Sequence, residues 1–250
     1  MFPMLVKRLI TFQKKLCFYV VKNIFMNLKR IEIACFNIES ALIAQKAGAD
    51  RVELCADMSV GGTTPTIEMI QKACKNLTIE INVMIRPRGG NFVYSNSELE
   101  QMKSEIDTIK KLGINGFVFG ILNEDNSINV DQNKVLVELA KPFPCTFHRA
   151  FDEVLDYEKA LEEIISCGFL TILTSGTFPN VIEGKEVLKQ LVIQANNRIE
   201  IMPGGGLRSA NISELNDMVN ANWYHSSAIT DGSETANQEE IIQLKKKLQS

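Results

Sequence analysis

The sequence lacks several features that would place it in a common class of protein. Its six cysteines are spread over 250 residues with no CxxC pair, which is typical of reduced thiols and not of a disulfide scaffold. The formal net charge is −3, so no excess of positive charge points to nucleic acid as a partner. The longest apolar run near the N-terminus, residues 16–21, is too short to cross a membrane. We therefore expect a cytoplasmic protein with no nucleic-acid partner and no membrane partner.

The N-terminal segment differs in composition from the rest of the chain. Residues 1–26 contain five basic residues and no acid, and the first acid is Glu32. The segment also has no serine, which argues against a transit peptide. We interpret residues 1–26 as an N-terminal extension, either loosely ordered or preceding a natural start at Met26, and residues 27–250 as one folded domain.

From Arg30 onward, short β-rich runs alternate with longer amphipathic runs. The eight strand candidates are Ile31–Cys35, Arg51–Cys55, Ile79–Ile85, Gly116–Leu122, Cys145–His148, Thr171–Thr174, Arg198–Met202 and Trp223–His225. Residues 97–112 form an amphipathic helix by their spacing, and other helices are expected to begin behind Asn37, Thr66, Asn129 or Asp131, Asp156 and Asn211. The order and the unit length, roughly 28 residues, predict an α/β fold, a single-domain (β/α)8 TIM barrel.

The competing fold is an open, doubly wound parallel sheet. That fold commonly carries a GxGxxG turn after its first strand, where it binds a dinucleotide. Here the first strand is followed by residues 35–39, which read Cys-Phe-Asn-Ile-Glu. The missing glycines favour the closed barrel.

Glutamates recur at one position of the strand pattern. An aliphatic pair flanks each of Glu32, Glu53, Glu80 and Glu200. Because side chains alternate across a strand, the aliphatic residues must face the helices and the glutamates must point into the barrel. We expect Glu32 and Glu80 to lie deep in their strands within ion pairs, since an unpaired buried carboxylate is costly.

Polar residues collect at the predicted carboxyl ends of the strands, the face on which barrels of this kind keep their active sites. The predicted catalytic residues are Glu53, Arg86, His148 and Asp152. The predicted ligand-binding residues are Arg88, Ser175, Gly204, Gly205, Gly206, His225 and Ser226. Arginines and glycine-rich turns suit a phosphate or another small anion. Both histidines of the chain fall on this face.

Two covalent mechanisms are disfavoured by what the strands and loops contain. A Schiff-base aldolase needs a lysine projecting from a strand, and none of the eight strand candidates contains one. A serine hydrolase on an α/β-hydrolase sheet would carry a GxSxG elbow, which is absent. Ser175 is therefore interpreted as a turn residue or an anion ligand.

The motifs, taken in order, resemble the CutC family of copper homeostasis proteins. They are Gly48-Ala49-Asp50-Arg51-Val52-Glu53-Leu54-Cys55, Gly61-Gly62-Thr63-Thr64-Pro65, Met84-Ile85-Arg86-Pro87-Arg88-Gly89-Gly90, Thr146-Phe147-His148-Arg149-Ala150-Phe151-Asp152, Leu173-Thr174-Ser175-Gly176, Pro203-Gly204-Gly205-Gly206 and His225-Ser226-Ser227. The resemblance implies a TIM barrel, a homodimer or larger homo-oligomer, a cytoplasmic location and a role in copper handling. Asn91 and Ile229 depart from the residues usual in the family.

The same resemblance implies copper ligands at Cys35 and Cys55. Thiolates are soft ligands that prefer Cu(I). Strand parity nevertheless separates the two, because Cys55 shares the inward face of Glu53 whereas Cys35 has the opposite parity from Glu32. Met84 and Met202 are inward-facing thioether alternatives.

Two hypotheses about function remain open from the sequence. In the first, the chain is a cytoplasmic copper-homeostasis protein that binds Cu(I) through Cys35 and Cys55. In the second, it is an enzyme acting on a small anionic or phosphorylated ligand, with Glu53 and His148 as an acid/base pair.

Overall fold

The structure is a computed structural model that describes residues 29–249. The predicted extension over residues 1–26 lies outside the described residues. The strands are β1 (Arg30–Cys35), β2 (Arg51–Leu54), β3 (Glu80–Met84), β4 (Gly116–Phe119), β5 (Cys145–Phe147), β6 (Thr171–Thr174), β7 (Glu200–Pro203) and β8 (Trp223–Ser226). The helices are α1 (Ile38–Lys46), α2 (Ile67–Asn76), α3 (Asn96–Ile109), α4 (Val130–Ala140), α5 (Tyr157–Cys167), α6 (Lys185–Ala195), α7 (Ile212–Val219) and α8 (Gln238–Leu248).

The eight strands form one parallel sheet in the order β7-β6-β5-β4-β3-β2-β1-β8. The sheet curls into a barrel whose two outer strands, β7 and β8, meet through a parallel bridge between Gly204 and His225. The predicted (β/α)8 barrel is confirmed. Short 3-10 helices at Met58–Val60 and Arg149–Glu153 extend the loops after β2 and β5.

Side-chain hydrogen bonds fix where several helices begin. Asn37, Thr66, Asn129 and Asp156 each accept a bond from a backbone N–H in the first turn that follows, as predicted. Asn211 precedes α7 without such a bond. The predicted helix over residues 97–112 is α3, which begins behind a capping box that the sequence pattern did not single out.

The main apolar core lies between the sheet and the helices, and the barrel interior holds charged groups beside two small apolar clusters. Glu32 and Glu53 are buried there, as expected from parity. Glu80 forms the expected ion pair, with Arg51 at 3.8 Å, but its side chain is 53% exposed, so its predicted deep position is wrong; Glu200 is only partly buried. Each is the first residue of its strand, at the amino-terminal rim of the barrel.

Several predicted strands are longer than the strands in the structure. The predicted strand over residues 116–122 ends at Phe119, because the chain then turns and Leu122 pairs antiparallel with Ile128. The apolar residues that follow the last paired residue of the strand remain buried. A prediction based on composition therefore includes them in the strand. No helix among residues 29–249 is long and apolar enough to span a bilayer.

Candidate functional site

A cavity of about 230 Å³ opens at the carboxyl ends of the strands. Eight of the residues predicted for the site line it, namely Glu53, Cys55, Arg86, His148, Gly205, Gly206, His225 and Ser226. Five others do not appear in its wall, namely Cys35, Arg88, Asp152, Ser175 and Gly204. The structure adds Arg149, Arg208 and Ser227, which sequence reasoning did not select. Their positions directly beside predicted site residues were the available signal.

Glu53 belongs to a buried chain of charged groups inside the barrel. Arg51 donates from Nε to Glu32 Oε2 at 2.5 Å, and His225 Nδ1 lies 2.8 Å from Glu32 Oε1. His225 Nε2 is 3.8 Å from Glu53 Oε2. Arg51 shares the inward parity of Glu53, so alternation along β2 could have identified it as the partner of Glu32. The other oxygen of Glu53, Oε1, is buried and has no hydrogen-bond partner among the described residues.

The surroundings move the pKa values of the two carboxyl groups in opposite directions. Burial pushes the pKa of Glu32 upward, but Arg51 and His225 outweigh burial and lower it to about 2. Burial raises the pKa of Glu53 to about 7, against the opposing charge of His225. Burial alone lowers the pKa of His225, but its bond to Glu32 and the charge of Glu53 raise it overall. Glu53 is therefore suited to gain and lose a proton near neutral pH.

His148 is held in one tautomer at the end of β5. Its Nδ1 accepts a hydrogen bond from the N–H of Ala150 at 3.3 Å, so the ring proton sits on Nε2. Nε2 is buried without a partner among the described residues. Burial, helped by the charge of Arg86, lowers the pKa of His148 to about 3. His148 is thus a neutral hydrogen-bond donor.

Arg86 clips together the loops after β2 and β3. Its guanidinium donates to the carbonyl groups of Val60, Gly62 and Gly90 at 2.8 to 2.9 Å. It also lies over the ring of Phe92, with 4.7 Å from Cζ to the ring centroid. Its Nε has no partner among the described residues. Most of the donors of Arg86 are therefore used to hold the mouth in shape.

Arg88 points away from the cavity. It donates from Nε to Glu98 at 2.5 Å and from its terminal nitrogens to Asn91 and Val93. The role of Arg88 in this structure is to fasten the loop after β3 to the start of α3.

Asp152 and Ser175 organise the loop after β6 from behind the cavity wall. Asp152 accepts bonds from the Ser175 N–H at 2.9 Å, from the Thr177 N–H at 3.2 Å and from Arg149 Nε at 2.8 Å. Ser175 in turn accepts a bond from Arg149 Nη2 at 3.0 Å. The two residues orient Arg149, which does line the cavity.

The glycine turn after β7 lies against Arg149. Gly205 and Gly206 have φ values of +111° and +70°. A Cβ on Gly205 would lie 3.0 Å from Arg149 Cζ. On the other side of the turn, Arg208 donates to the carbonyl groups of Leu207 and Ile229 at 2.7 and 2.9 Å. Backbone and two arginines thus meet at one corner of the mouth.

The two cysteines of the predicted metal site lie on opposite faces of the sheet. Cys55 is in the barrel interior with Met84 and Val118. Cys35 is in the main core beneath the helices, as its parity indicated, and its Sγ donates to Ile33 O at 3.4 Å. Burial raises the pKa of both thiols well above the usual value.

Near Cys55, the barrel interior holds both sulfur atoms and oxygen or nitrogen atoms that could bind a metal ion. The Cys55 Sγ donates to Glu53 Oε2 at 3.5 Å, and Cys55 Sγ and Met84 Cε would lie 3.4 and 3.7 Å from a Cβ on Gly62. Glu32, Glu53 and His225 place donor atoms within 4.8 Å of one another. Met202 lies lower, with Leu173 and Trp223. A soft ion fits the pair formed by Cys55 and Met84, whose ligand groups are a thiol and a thioether.

Comparisons with known proteins agree on one family. The model of the CutC family matches residues 29–230. The human copper homeostasis protein cutC homolog is 43% identical over 198 residues, which are 79% of this chain and 72% of that protein. A CutC family protein of Vibrio campbellii is 42% identical over 203 residues, covering 80% of this chain and 82% of its own.

Solved structures give the same result. The crystal structure of a copper homeostasis protein CutC from Streptococcus agalactiae superposes with a TM-score of 0.77 at 36% identity, covering 81% of this chain and 100% of that one. Phosphoribosylanthranilate isomerase from Thermotoga maritima shares the fold alone, with a TM-score of 0.58 at 14% identity, covering 88% of this chain and 98% of that one. The chain belongs to the CutC family of copper homeostasis proteins.

Proposed function

We propose that the barrel mouth binds a small anionic, phosphate-bearing ligand and that Glu53 exchanges a proton with it. The observation that carries this proposal is the Glu53 carboxyl group, buried in the cavity wall with Oε1 unpartnered. Its pKa of about 7 suits general acid–base work at neutral pH.

The charge of the wall supports an anion. Arg86, Arg149 and Arg208 line the cavity, whereas Glu53 is the one carboxylate among the described residues in its wall. The corner formed by Gly205, Gly206 and Arg208 is the position at which barrels of this fold often bind phosphate. His148, kept neutral, would donate a hydrogen bond to the ligand instead of acting as the second member of an acid/base pair.

Thermal-shift titration with inorganic phosphate tests the anion site. Arg149→Gln should weaken the stabilisation by phosphate about tenfold, because a charge-assisted hydrogen bond to the ligand is lost. Arg198→Gln is the matched control, since both arginine side chains are 43% exposed and paired with an acid but Arg198 lies outside the cavity. Equal phosphate affinity in the two variants contradicts the proposal.

We also propose that Cu(I) is a cargo of this chain, bound through cysteine thiolates. The placement of Cys55 beside Met84 favours this second function, because a thiolate and a thioether are soft ligands. Cys35 is the last residue of β1, the strand that pairs with β2, and its carbonyl oxygen accepts a hydrogen bond from the Cys55 N–H at 3.0 Å. Its thiol would join Cys55 on one ion only if the end of β1 turned over.

A Cu(I) titration against a chromophoric competitor tests the cargo role. We expect about one ion per chain, lost in Cys55→Ser and weakened less in Cys35→Ser. Cys145→Ser is the control, because Cys145 is buried in the main core away from the cavity. If Cys55→Ser still binds about one Cu(I) ion per chain, the copper proposal is wrong.

The cytoplasmic location and the homodimer or larger homo-oligomer belong to the same proposal. The five described cysteines are all free thiols, which supports a reducing compartment. Size-exclusion chromatography with light scattering measures the oligomer directly, and a monomer would contradict that part.

A further inference from the structure

We propose that the mouth of the barrel catalyses a 1,2-proton transfer in a small phosphorylated α-hydroxy carbonyl compound, with Glu53 as the base and His148 as the donor to the carbonyl oxygen. This inference rests on the proposed anion site and names its substrate class and reaction. It is carried by the placement of two unpartnered buried groups, a carboxylate oxygen and an imidazole N–H, in one cavity wall.

Glu53 and His148 reach the cavity wall from different strands of the barrel. Glu53 is on β2 and His148 follows β5, three strands farther round the eight-stranded sheet. A ligand in the cavity would therefore meet Glu53 and His148 from two different strands. The corner formed by Gly205, Gly206 and Arg208, after β7, would hold the phosphate of the ligand.

The size of the cavity limits the substrate. Its volume of about 230 Å³ is below the roughly 300–1,000 Å³ usual for drug-sized ligands. A compound of a few carbons with one phosphate is the appropriate scale.

Glu53 meets the requirements of a carbon base. Oε2 faces His225 and the Cys55 thiol, whereas Oε1 has no partner and remains for the substrate. The His225 ring is fixed by its bond to Glu32, which is itself held by Arg51. The base is thus kept in one place by a buried chain that does not use Oε1.

His148 meets the requirements of a neutral electrophile. The Ala150 N–H occupies Nδ1, and the ring also packs against Phe92 with centroids 4.8 Å apart. The donor Nε2–H is therefore held before any ligand arrives, which is the condition for stabilising charge that develops in a transition state.

The reaction balances without a co-reactant. Glu53 removes the proton from the hydroxyl-bearing carbon, and the electron pair forms a carbon–carbon double bond as the carbonyl oxygen gains negative charge. The His148 N–H stabilises that oxygen while a proton passes between the two oxygens of the enediol. Glu53 then returns its proton to the neighbouring carbon, giving the isomeric carbonyl compound. No lysine lines the cavity among the described residues, so imine chemistry has no nucleophile there.

The test measures solvent deuterium incorporation by proton NMR in D2O. The probes are dihydroxyacetone phosphate, erythrose 4-phosphate and ribose 5-phosphate, each first examined for thermal stabilisation of the full chain. At least one stabilising probe should exchange the proton on the carbon next to its carbonyl group. Glu53→Gln should reduce the exchange at least about 10²-fold, the usual contribution of a general base.

His148→Asn is the second variant. Asparagine at this position keeps an acceptor for the Ala150 N–H and removes the Nε2–H donor, so the helix start is preserved. We expect kcat to fall about 10²-fold with KM nearly unchanged. A merely structural role would change thermal stability and KM together.

The outcomes separate the inference from the function on which it rests. Stabilisation by the probes without exchange overturns the proton transfer and leaves the anion site standing. Exchange that persists in Glu53→Gln, purified in the same way, assigns the activity to a contaminant or another base and also overturns it. If no probe and no inorganic phosphate stabilises the chain, both proposals fail.

Discussion

Glu53 and Glu32 show how two equal side chains acquire opposite properties from their neighbours. Both lie inside the barrel, but Arg51 contacts Glu32 and does not hydrogen-bond to Glu53. Parity along a strand predicted both as inward because the side-chain period is two residues. Parity says nothing about height in the barrel, which is why Glu80, at the rim, was wrongly placed in the interior.

The raised pKa of Glu53 predicts a specific dependence of stability on pH. Between the ordinary glutamate pKa of 4.5 and the folded value of about 7, the folded chain holds a proton that the unfolded chain has released. The contribution of Glu53 to the free energy of unfolding therefore falls as pH rises through this window. Relative to the wild type, Glu53→Gln should gain stability between pH 5 and pH 8.

Urea denaturation of both proteins at the two pH values measures this difference. His148 acts in the opposite direction, since its lowered pKa makes the folded state lose stability as pH falls from about 6.5 toward 3. His148 is present in both proteins, so the comparison isolates Glu53 and the groups it touches. Parallel pH profiles would refute the assignment.

At the scale of elements, helix starts were more predictable than strand ends. A cap needs one side-chain oxygen at one position, and Asn37, Thr66 and Asp156 supply it locally. A strand ends where its partner strand departs, and that depends on residues far away in sequence. The loop after β4 shows this, because Ile121 N–H turns to bond Asn133 Oδ1 on α4.

The cap of α5 offers a direct stability test. Asp156 accepts the Lys159 N–H at 3.0 Å, so Asp156→Ala should reduce the free energy of unfolding by about 1 kcal/mol. Asp156→Asn is the matched control and should cost much less, since asparagine caps about as well as aspartate. The measurement is the urea midpoint, with the slope unchanged; equal losses in both variants would mean that charge, not the cap, matters.

For the whole molecule, the count of eight alternating units was sufficient to predict a barrel. The count could not reveal which neighbouring strands are joined most weakly, because that is a matter of register between the last strands. The structure places the seam between β7 and β8, where Leu173, Met202 and Trp223 fill the interior. The sequence motifs identified the mouth of the barrel. Whether an arginine lines the cavity or only holds a loop in place depended on three-dimensional placement, as Arg86 and Arg88 show.

The single tryptophan makes the seam observable. Trp223 is buried on β8, and the guanidinium carbons of Arg30 and Arg51 lie 4.4 and 3.9 Å from its ring centroid. If the barrel unfolds as one cooperative unit, tryptophan fluorescence and far-ultraviolet circular dichroism should give the same urea midpoint. A fluorescence change at lower urea would show that the seam opens before the rest.

The packing around Trp223 has a consequence for how ligands would reach and leave the cavity. Trp223 and Arg51 close the foot of the barrel, and Glu32 above them has no exposed surface. Because these buried side chains fill the amino-terminal end of the barrel, a ligand in the cavity would enter and leave at the carboxyl ends of the strands. A copper ion on Cys55 and an anion on the arginines would both occupy this cavity, so each would slow the binding and release of the other.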